Sequence, residues 1–504
     1  MTVTRIAVPS AILDGIDGQL VTVEVHITTG LPGYTVVGLP DAAVRESRDR
    51  VRAALLSSQI EFPNRKITVG LAPSAIRKTG SGLDLAIALG LVALTEPPLP
   101  VSCLAGVGVL GELGLDGTVR PIPGVLACAD ALARAGVTRV IVPAENAREA
   151  MLVPDLVVRP ARSLREVTAC LRDLAPWPEP PPARVTATPD LVDELGDLAD
   201  VRGLANARDA LAIAAAGNHH FLMIGPPGVG KTMLAKRIAT ILPELPSRAA
   251  LEATRVQSIA TRHGIEHLVA TPPFRAPHHT ISPAALVGGG TGRPHPGEVT
   301  LAHHGALFLD ELGEFPPRAL EALRQPLEEG VVRISRIPET STFPARFLLI
   351  ACTNPCPCGL GPDKCRCSDA ARGRYLRRLS APLLDRFDLR LWVHAPRADE
   401  PSGASSADIR AHVAEAVDRQ RERFTDTPWE RNSEVPAHAL DAYLPLTAPA
   451  RTTWHRLCEH RALSGRGAAR VRRVARTIAD LDGAPDIRPT DLVRALDLRE
   501  DIAA

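Results

Sequence analysis

Apolar residues recur along this chain with two different periods. Leu20 to Ile27 alternates apolar and polar residues, which predicts a half-buried strand, whereas Asp41 to Leu55 spaces its apolar residues as a helix does. Continued over residues 1–172, this succession of short β-branched strands and helices predicts an α/β domain. Residues 173–199 break the pattern, because Pro176-Trp177-Pro178-Glu179-Pro180-Pro181-Pro182 can hold neither a helix nor a sheet ladder and reads as a stiff linker. Within residues 200–395 the strand-like stretches Phe221 to Ile224 and Ala306 to Leu309 are wholly apolar, as expected of parallel strands covered on both faces, and Phe347 to Thr353 reads as a third strand. Gly330 to Pro338, with Thr340 to Ala345 returning, alternates again and predicts a hairpin. Residues 396–504 read mostly as helices. The predicted fold class is therefore α/β with a helical C-terminal domain, and about three domains is what 504 residues require.

Composition adds boundaries rather than chemistry. A hydrophobic fraction of 45% is that of an ordinary soluble globular protein. The net charge of +1 argues neither for nor against nucleic acid, so any basic surface must be local. Positive charge is carried almost wholly by Arg, the only lysines being Lys66, Lys78, Lys231, Lys236 and Lys364. Met1 to Val8 lacks the charged start and apolar core of a signal peptide, and the longest apolar stretch, near Leu83 to Leu94, is interrupted by Asp84. It is too short to span a bilayer, so no membrane partner and a cytoplasmic location are expected. Nine cysteines in that compartment are not expected to form disulfides, and five of them fall between Cys352 and Cys367.

The candidate chemistry centres on Gly225-Pro226-Pro227-Gly228-Val229-Gly230-Lys231-Thr232, between the apolar run at Phe221 to Ile224 and a helical stretch from Met233 to Ala239. Such a strand–loop–helix is what a phosphate-binding loop needs: glycines let successive N–H groups point inward, and the helix adds the positive end of its dipole. Lys231 can reach the β- and γ-phosphates of ATP, and the Thr232 hydroxyl can join a Mg²⁺ shell. Asp310 and Glu311 end a second apolar strand, where open α/β sheets bind ligands. Asp310 is the candidate to hold Mg²⁺, and Glu311 to polarise the attacking water. Asn354 ends the third strand, positioned to sense the γ-phosphate or, alternatively, to cap a turn. Cys356-x-Cys358 and Cys365-x-Cys367 form a four-thiolate set that can hold Zn²⁺, with free thiols or a redox pair as alternatives.

Several stretches resemble known families. Gly111 to Gly124, with the helix beyond it and Arg139 to Asn146, resembles the proteolytic domain of the Lon family. That pattern places Gly82 at the serine position and Leu126 at the lysine position, so the resemblance implies a catalytically degenerate domain, with Ser81 and Lys78 as conceivable substitutes. Asp200 to Leu204 resembles the motif by which AAA+ ATPases touch adenine. Pro382 to Asp388 resembles the segment in which magnesium-chelatase-like AAA+ proteins carry an arginine finger, which implies that Arg386 reaches ATP held by a neighbouring subunit, or else pairs with Asp385 or Asp388 at the surface. Ala462 to Arg470 resembles the lid motif that contacts ATP in cis, through Arg466 with Arg470 and Arg473 as rivals. Two inserted segments, Pro273 to Gly290 and the hairpin bearing Arg333 and Arg336, fall where such motors have pore loops that can grip phosphates.

The order of these parts, with His278-His279, Gly288 to Gly290, Leu301 to Gly305 and Asn354 to Gly359, resembles the ComM family of magnesium-chelatase-like ATPases over essentially the whole chain. The resemblance implies a hexameric, ATP-driven DNA translocase acting on single-stranded or branched DNA, and branch migration during natural transformation. Three alternatives remain open from the sequence: a magnesium chelatase motor subunit, an ATP-dependent protease, and an ATP-switched scaffold.

Overall fold

The structure, a computed structural model, describes residues 5–182, 191–260, 265, 267–290, 295–335, 340–360, 365–395, 401–461 and 463–500. They form two compact units, Met1–Ala187 with Ala250–Val269, and Thr188–Ala249 with Ala270–Ala504.

In the first unit a four-stranded sheet runs in the order Arg5–Asp14, Asp17–Thr28, Lys66–Ala72, Gly33–Val37. The first three pair antiparallel and the last joins parallel. Its inward residues, among them Val8, Val23, Val25 and Val69, are fully buried against the helix Asp84–Leu94. That helix is apolar on nearly every side, and burial pushes up the pKa of its one carboxyl, Asp84, against the opposing pull of Arg50, whose Nε donates to it at 2.6 Å. A second, parallel sheet joins Val107–Val109, Arg139–Pro143 and Val157–Ala161.

This unit also takes in Ala250–Val269, a segment that the sequence reading assigned to residues 200–395. Side chains explain why it belongs there. Arg255 pairs with Asp17 at 2.9 Å and Asp130 at 3.4 Å, and Leu251 packs on the cluster around Leu126 and Leu132. The Ser258 hydroxyl donates to Glu149, a carboxyl 3% exposed that also accepts from the Leu126 N–H at 3.3 Å.

The second unit is built on a five-stranded parallel sheet in the order Phe274–Arg275, Ala306–Leu309, Leu348–Thr353, Phe221–Ile224, Leu389–Trp392. Phe221–Ile224, Ala306–Leu309 and Leu348–Thr353 are buried at every residue. Register places Ile224 beside Thr353 and Leu309 beside Ala351, so the chain leaves these strands along one edge, at Gly225, Asp310 and Asn354. One continuous apolar core joins sheet residues Phe221, Ile350 and Leu389 to Val413, Val471, Val474 and Ile478 of the C-terminal helices.

The helix Gly465–Leu481 organises the C-terminal part. Its Asp480 is fully buried and accepts from Arg476 Nη2 at 2.8 Å, Arg423 Nη1 at 3.0 Å and Asn432 Nδ2 at 2.8 Å. Removing such a carboxylate strands buried guanidinium charge, so Asp480→Ala is expected to destabilise this unit by about 3–5 kcal/mol, read as a fall in its denaturation midpoint. A loss within the small range of ordinary surface substitutions would show that these bonds carry little.

Candidate nucleotide site

Local geometry turns the Gly-rich stretch into a cradle. A Cβ at Gly225 would lie 2.3 Å from the carbonyl oxygen of Val393, so the turn out of the strand admits no side chain. Gly228 and Gly230 take φ of +81° and +93°, in the left-handed region, and Gly230 leads into the helix Lys231–Lys236. Lys231 is 7% exposed as a residue, and its ammonium donates to the carbonyls of Gly225 and Pro226, each at 2.7 Å, and to Asn354 Oδ1 at 3.4 Å. Burial lowers its pKa, with Asp310 and Glu311 among the groups opposing that shift.

The carboxylates stand where the register puts them. Thr232 Oγ1 donates to Asp310 Oδ2 at 2.7 Å, while the Glu311 N–H donates to Asp310 Oδ1 at 3.0 Å. Glu311 itself adopts φ of +53°, a left-handed conformation that a residue with a Cβ rarely holds. This backbone turn leaves its side chain 54% exposed, and His279 Nδ1 comes within 3.4 Å of its Oε2. Pro227, Lys231, Thr232, Asp310, Glu311 and Asn354 line one cleft of about 400 Å³. Cys352 forms part of its floor, and burial raises the pKa of that thiol well above the ordinary range.

A second cavity, of about 430 Å³, is lined by Leu204, Asn206, Arg208, Trp392, His394 and Pro401. It adjoins the cleft, since a Cβ on Gly230 would lie 3.5 Å from Leu204 Cδ1. Two spaces of similar volume thus adjoin at the glycine loop. The oxygen pair of Thr232 and Asp310 suits a hard cation such as Mg²⁺, which supplies charge neutralisation at phosphate oxygens.

The arginines are elsewhere. Arg386 lines a different cavity, of about 520 Å³, where its Nη2 pairs with Glu328 at 2.8 Å. Arg470 shares that cavity and lies 3.5 Å from Asp388 and 3.8 Å from Asp385. Burial alone would raise the pKa of Asp388, but His219, whose Nδ1 lies 3.5 Å away, and Arg470 hold it well below the carboxylate range. Arg473 donates to the Val435 carbonyl at 2.7 Å. Arg466 is exposed in the first turn of the helix Gly465–Leu481 and does not line the cleft. Arg333 stands exposed on the hairpin Val331–Ser335, Thr340–Pro344 and pairs with Glu329, whereas Arg336 lies outside the described residues. Neither the His279–Glu311 contact nor the Trp392 wall was foreseen from the sequence; the only signal was the paired histidines of the inserted segment.

The peptidase positions assemble nothing comparable. A Cβ on Gly82 would lie 3.1 Å from Ile122 Cδ1, and Leu126 is fully buried among apolar side chains. Lys78 is completely buried, donating to the carbonyls of Pro73 and of Ile76, the latter at 2.7 Å. Ser81 donates to Glu112 instead. Among these four positions no hydroxyl meets an amine.

A parallel sheet whose edge presents a glycine loop, an acidic pair and a polar third strand end defines an AAA+-type P-loop ATPase. The description magnesium chelatase, subunit ChlI, matches residues 197–400, its C-terminal counterpart matches 403–499, and subunit ChlI of Mg-chelatase matches 23–146. An uncharacterized protein of Mycobacterium tuberculosis is 42% identical over 496 residues, 97% of this chain and 98% of its own. Competence protein ComM of Haemophilus influenzae is 40% identical over 492 residues, 96% of this chain and 95% of its own. A Lon protease of Bacillus subtilis, Lon protease 2, is 30% identical over 185 residues, 32% of this chain and 33% of its own. The chain belongs to the ComM family of magnesium-chelatase-like ATPases, with a Lon-like N-terminal part. Membership implies use of nucleotide and Mg²⁺ and action as an oligomer. No helix among the described residues is long and apolar enough to cross a membrane.

Gly225→Ala should push the loop off Val393 and weaken ATP binding about tenfold, the equivalent of roughly 1.4 kcal/mol of strain. Titration with a fluorescent ATP analogue measures it; unchanged affinity would mean that the loop tolerates the displacement.

Proposed function

We propose that this protein is a cytoplasmic, ring-forming ATPase, hexameric by family resemblance, that couples ATP hydrolysis to movement along single-stranded or branched DNA. In this reading Lys231 and the loop N–H groups bind the triphosphate, Thr232 and Asp310 hold Mg²⁺, Glu311 orients and polarises the attacking water, and Asn354 positions the γ-phosphate. The contact that carries the reading is His279 against Glu311, at 3.4 Å, because it links the general base to the inserted segment Pro273 to Gly290. A base touched by a segment outside the nucleotide cleft can be displaced or released when that segment meets a polymer, which is what distinguishes a motor from a simple nucleotide switch.

The position of Arg386, in a cavity apart from the cleft, supports a site completed by a second subunit. There the guanidinium must leave Glu328 to stabilise charge on a neighbour's γ-phosphate. Support for DNA as the polymer is the inserted hairpin, whose exposed Arg333 can meet phosphates without reading bases, and the name of the Haemophilus relative, a competence protein. A role in natural transformation or recombination extends from that name.

The test is ATP turnover with and without single-stranded, duplex and four-way-junction DNA, at several salt concentrations. At least one DNA should stimulate turnover; a protein that neither binds nor responds to any of them is not a DNA motor. Glu311→Gln should keep ATP affinity and lose turnover by about 10² or more. His279→Ala should leave ATP affinity unchanged and abolish the DNA stimulation, whereas stimulation at the original level would sever the proposed link. Arg386→Ala, assayed as an assembled ring, should lose about 10³ in rate.

A further inference from the structure

Four cysteines immediately beyond Asn354 remain unused by ATP hydrolysis. The turn Cys356 to Gly359, closed by the Gly359 N–H on the Cys356 carbonyl at 2.9 Å, brings Cys356 Sγ within 3.3 Å of Cys358 Sγ. Cys365 Sγ lies 3.5 Å from Cys356 and 3.9 Å from Cys358, and all four sulfurs, Cys367 included, fall within 4.8 Å of one another. None of them is disulfide-bonded.

We propose that these four thiolates hold a single Zn²⁺ ion, and that the metal clamps the sensor strand to the phosphate loop. A tetrahedron with Zn–S bonds of about 2.3 Å has sulfur–sulfur edges of about 3.8 Å, the spacing that these side chains already approximate. A multi-iron cluster spreads its thiolates further apart because iron and sulfide fill the centre. Cys356 is buried and Cys358, Cys365 and Cys367 are half-buried, so the four sulfurs are largely enclosed by protein.

The surroundings show what the clamp would connect. On one side the cluster follows Asn354 directly, and a Cβ on Gly359 would lie 2.8 Å from Cδ of Pro227, so the cysteine turn rests on the phosphate loop. On the other side Ser368 caps the helix Asp369–Arg378, accepting from the Ala371 N–H at 3.3 Å. That helix carries Tyr375, whose hydroxyl meets Thr353 Oγ1 at 3.2 Å. A metal at the four sulfurs therefore ties two segments that both touch the end of the Leu348–Thr353 strand, and fixes the distance between Asn354 and Pro227.

Elemental analysis of the full-length protein, purified under reducing conditions without chelator, should find about one zinc per chain. Cys356→Ser with Cys365→Ser should lower that content about tenfold or more, whereas Cys458→Ser, outside the cluster, should keep it. Cobalt added to zinc-stripped protein should give the sulfur-to-metal charge-transfer band of a tetrathiolate site, absent from the double variant. Wild-type protein without zinc, with iron in its place, or a double variant that keeps its zinc, would overturn the assignment. Stripping should also slow ATP turnover in the absence of DNA, and restored zinc should recover it; stripped protein with full turnover would leave no clamp. None of these measurements involves DNA, so their failure is distinct from failure of the motor reading.

Discussion

A parallel sheet covered on both faces can carry polar groups only where its strands end. Three of the five strands here are buried at every residue, and they run in one direction. Their polar continuations are therefore forced onto a common edge, where Gly225, Asp310 and Asn354 meet although 84 residues lie between the first and the second and 43 between the second and the third. The rest of the site follows from that edge. Lys231 is buried against the loop's own carbonyls, and Asp310 receives both the Thr232 hydroxyl and the Glu311 N–H. Glu311 is swung out of the strand by a left-handed backbone, toward solvent and His279.

The same economy of buried charge governs the opposite cavity. Asp388 is held ionised by His219 and Arg470, and Arg386 is paired with Glu328, so two arginines of interest lie in a network away from the cleft. An ion pair half open to solvent is weak enough to exchange for a phosphate. A residue built into the core, such as Arg476 on Asp480, is not. That contrast separates Arg386, whose partner Glu328 is open to solvent, from arginines such as Arg470 and Arg476, whose carboxylate partners are buried.

Much of the nucleotide site was legible because its signals are local. A strand, a glycine loop and a helix are contiguous from Phe221 to Lys236, and the apolar run before Asp310 and Glu311 announces their place at a strand end. The lid arginines were less legible. Three candidates stood within eight residues of one helix, and only packing shows Arg470 on Asp388, Arg473 on the Val435 carbonyl and Arg466 in solvent. The segment Ala250–Val269 was illegible as part of the first unit, because its attachment rests on single side-chain pairs such as Arg255 with Asp17, far apart in sequence.

By itself, then, the order of residues determined the elements, the glycine loop, the acidic pair and the four-cysteine spacing. These depend on neighbours within a few residues, where backbone geometry and periodicity act directly. Tertiary structure alone decided that His279 touches Glu311, that Arg386 is absent from the cleft, that Lys78 is sealed away from Ser81, and that Cys356 rests its turn on Pro227. Those outcomes depend on how separate segments pack, and a side chain's partner across such a contact is set by burial and shape rather than by its neighbours in the chain.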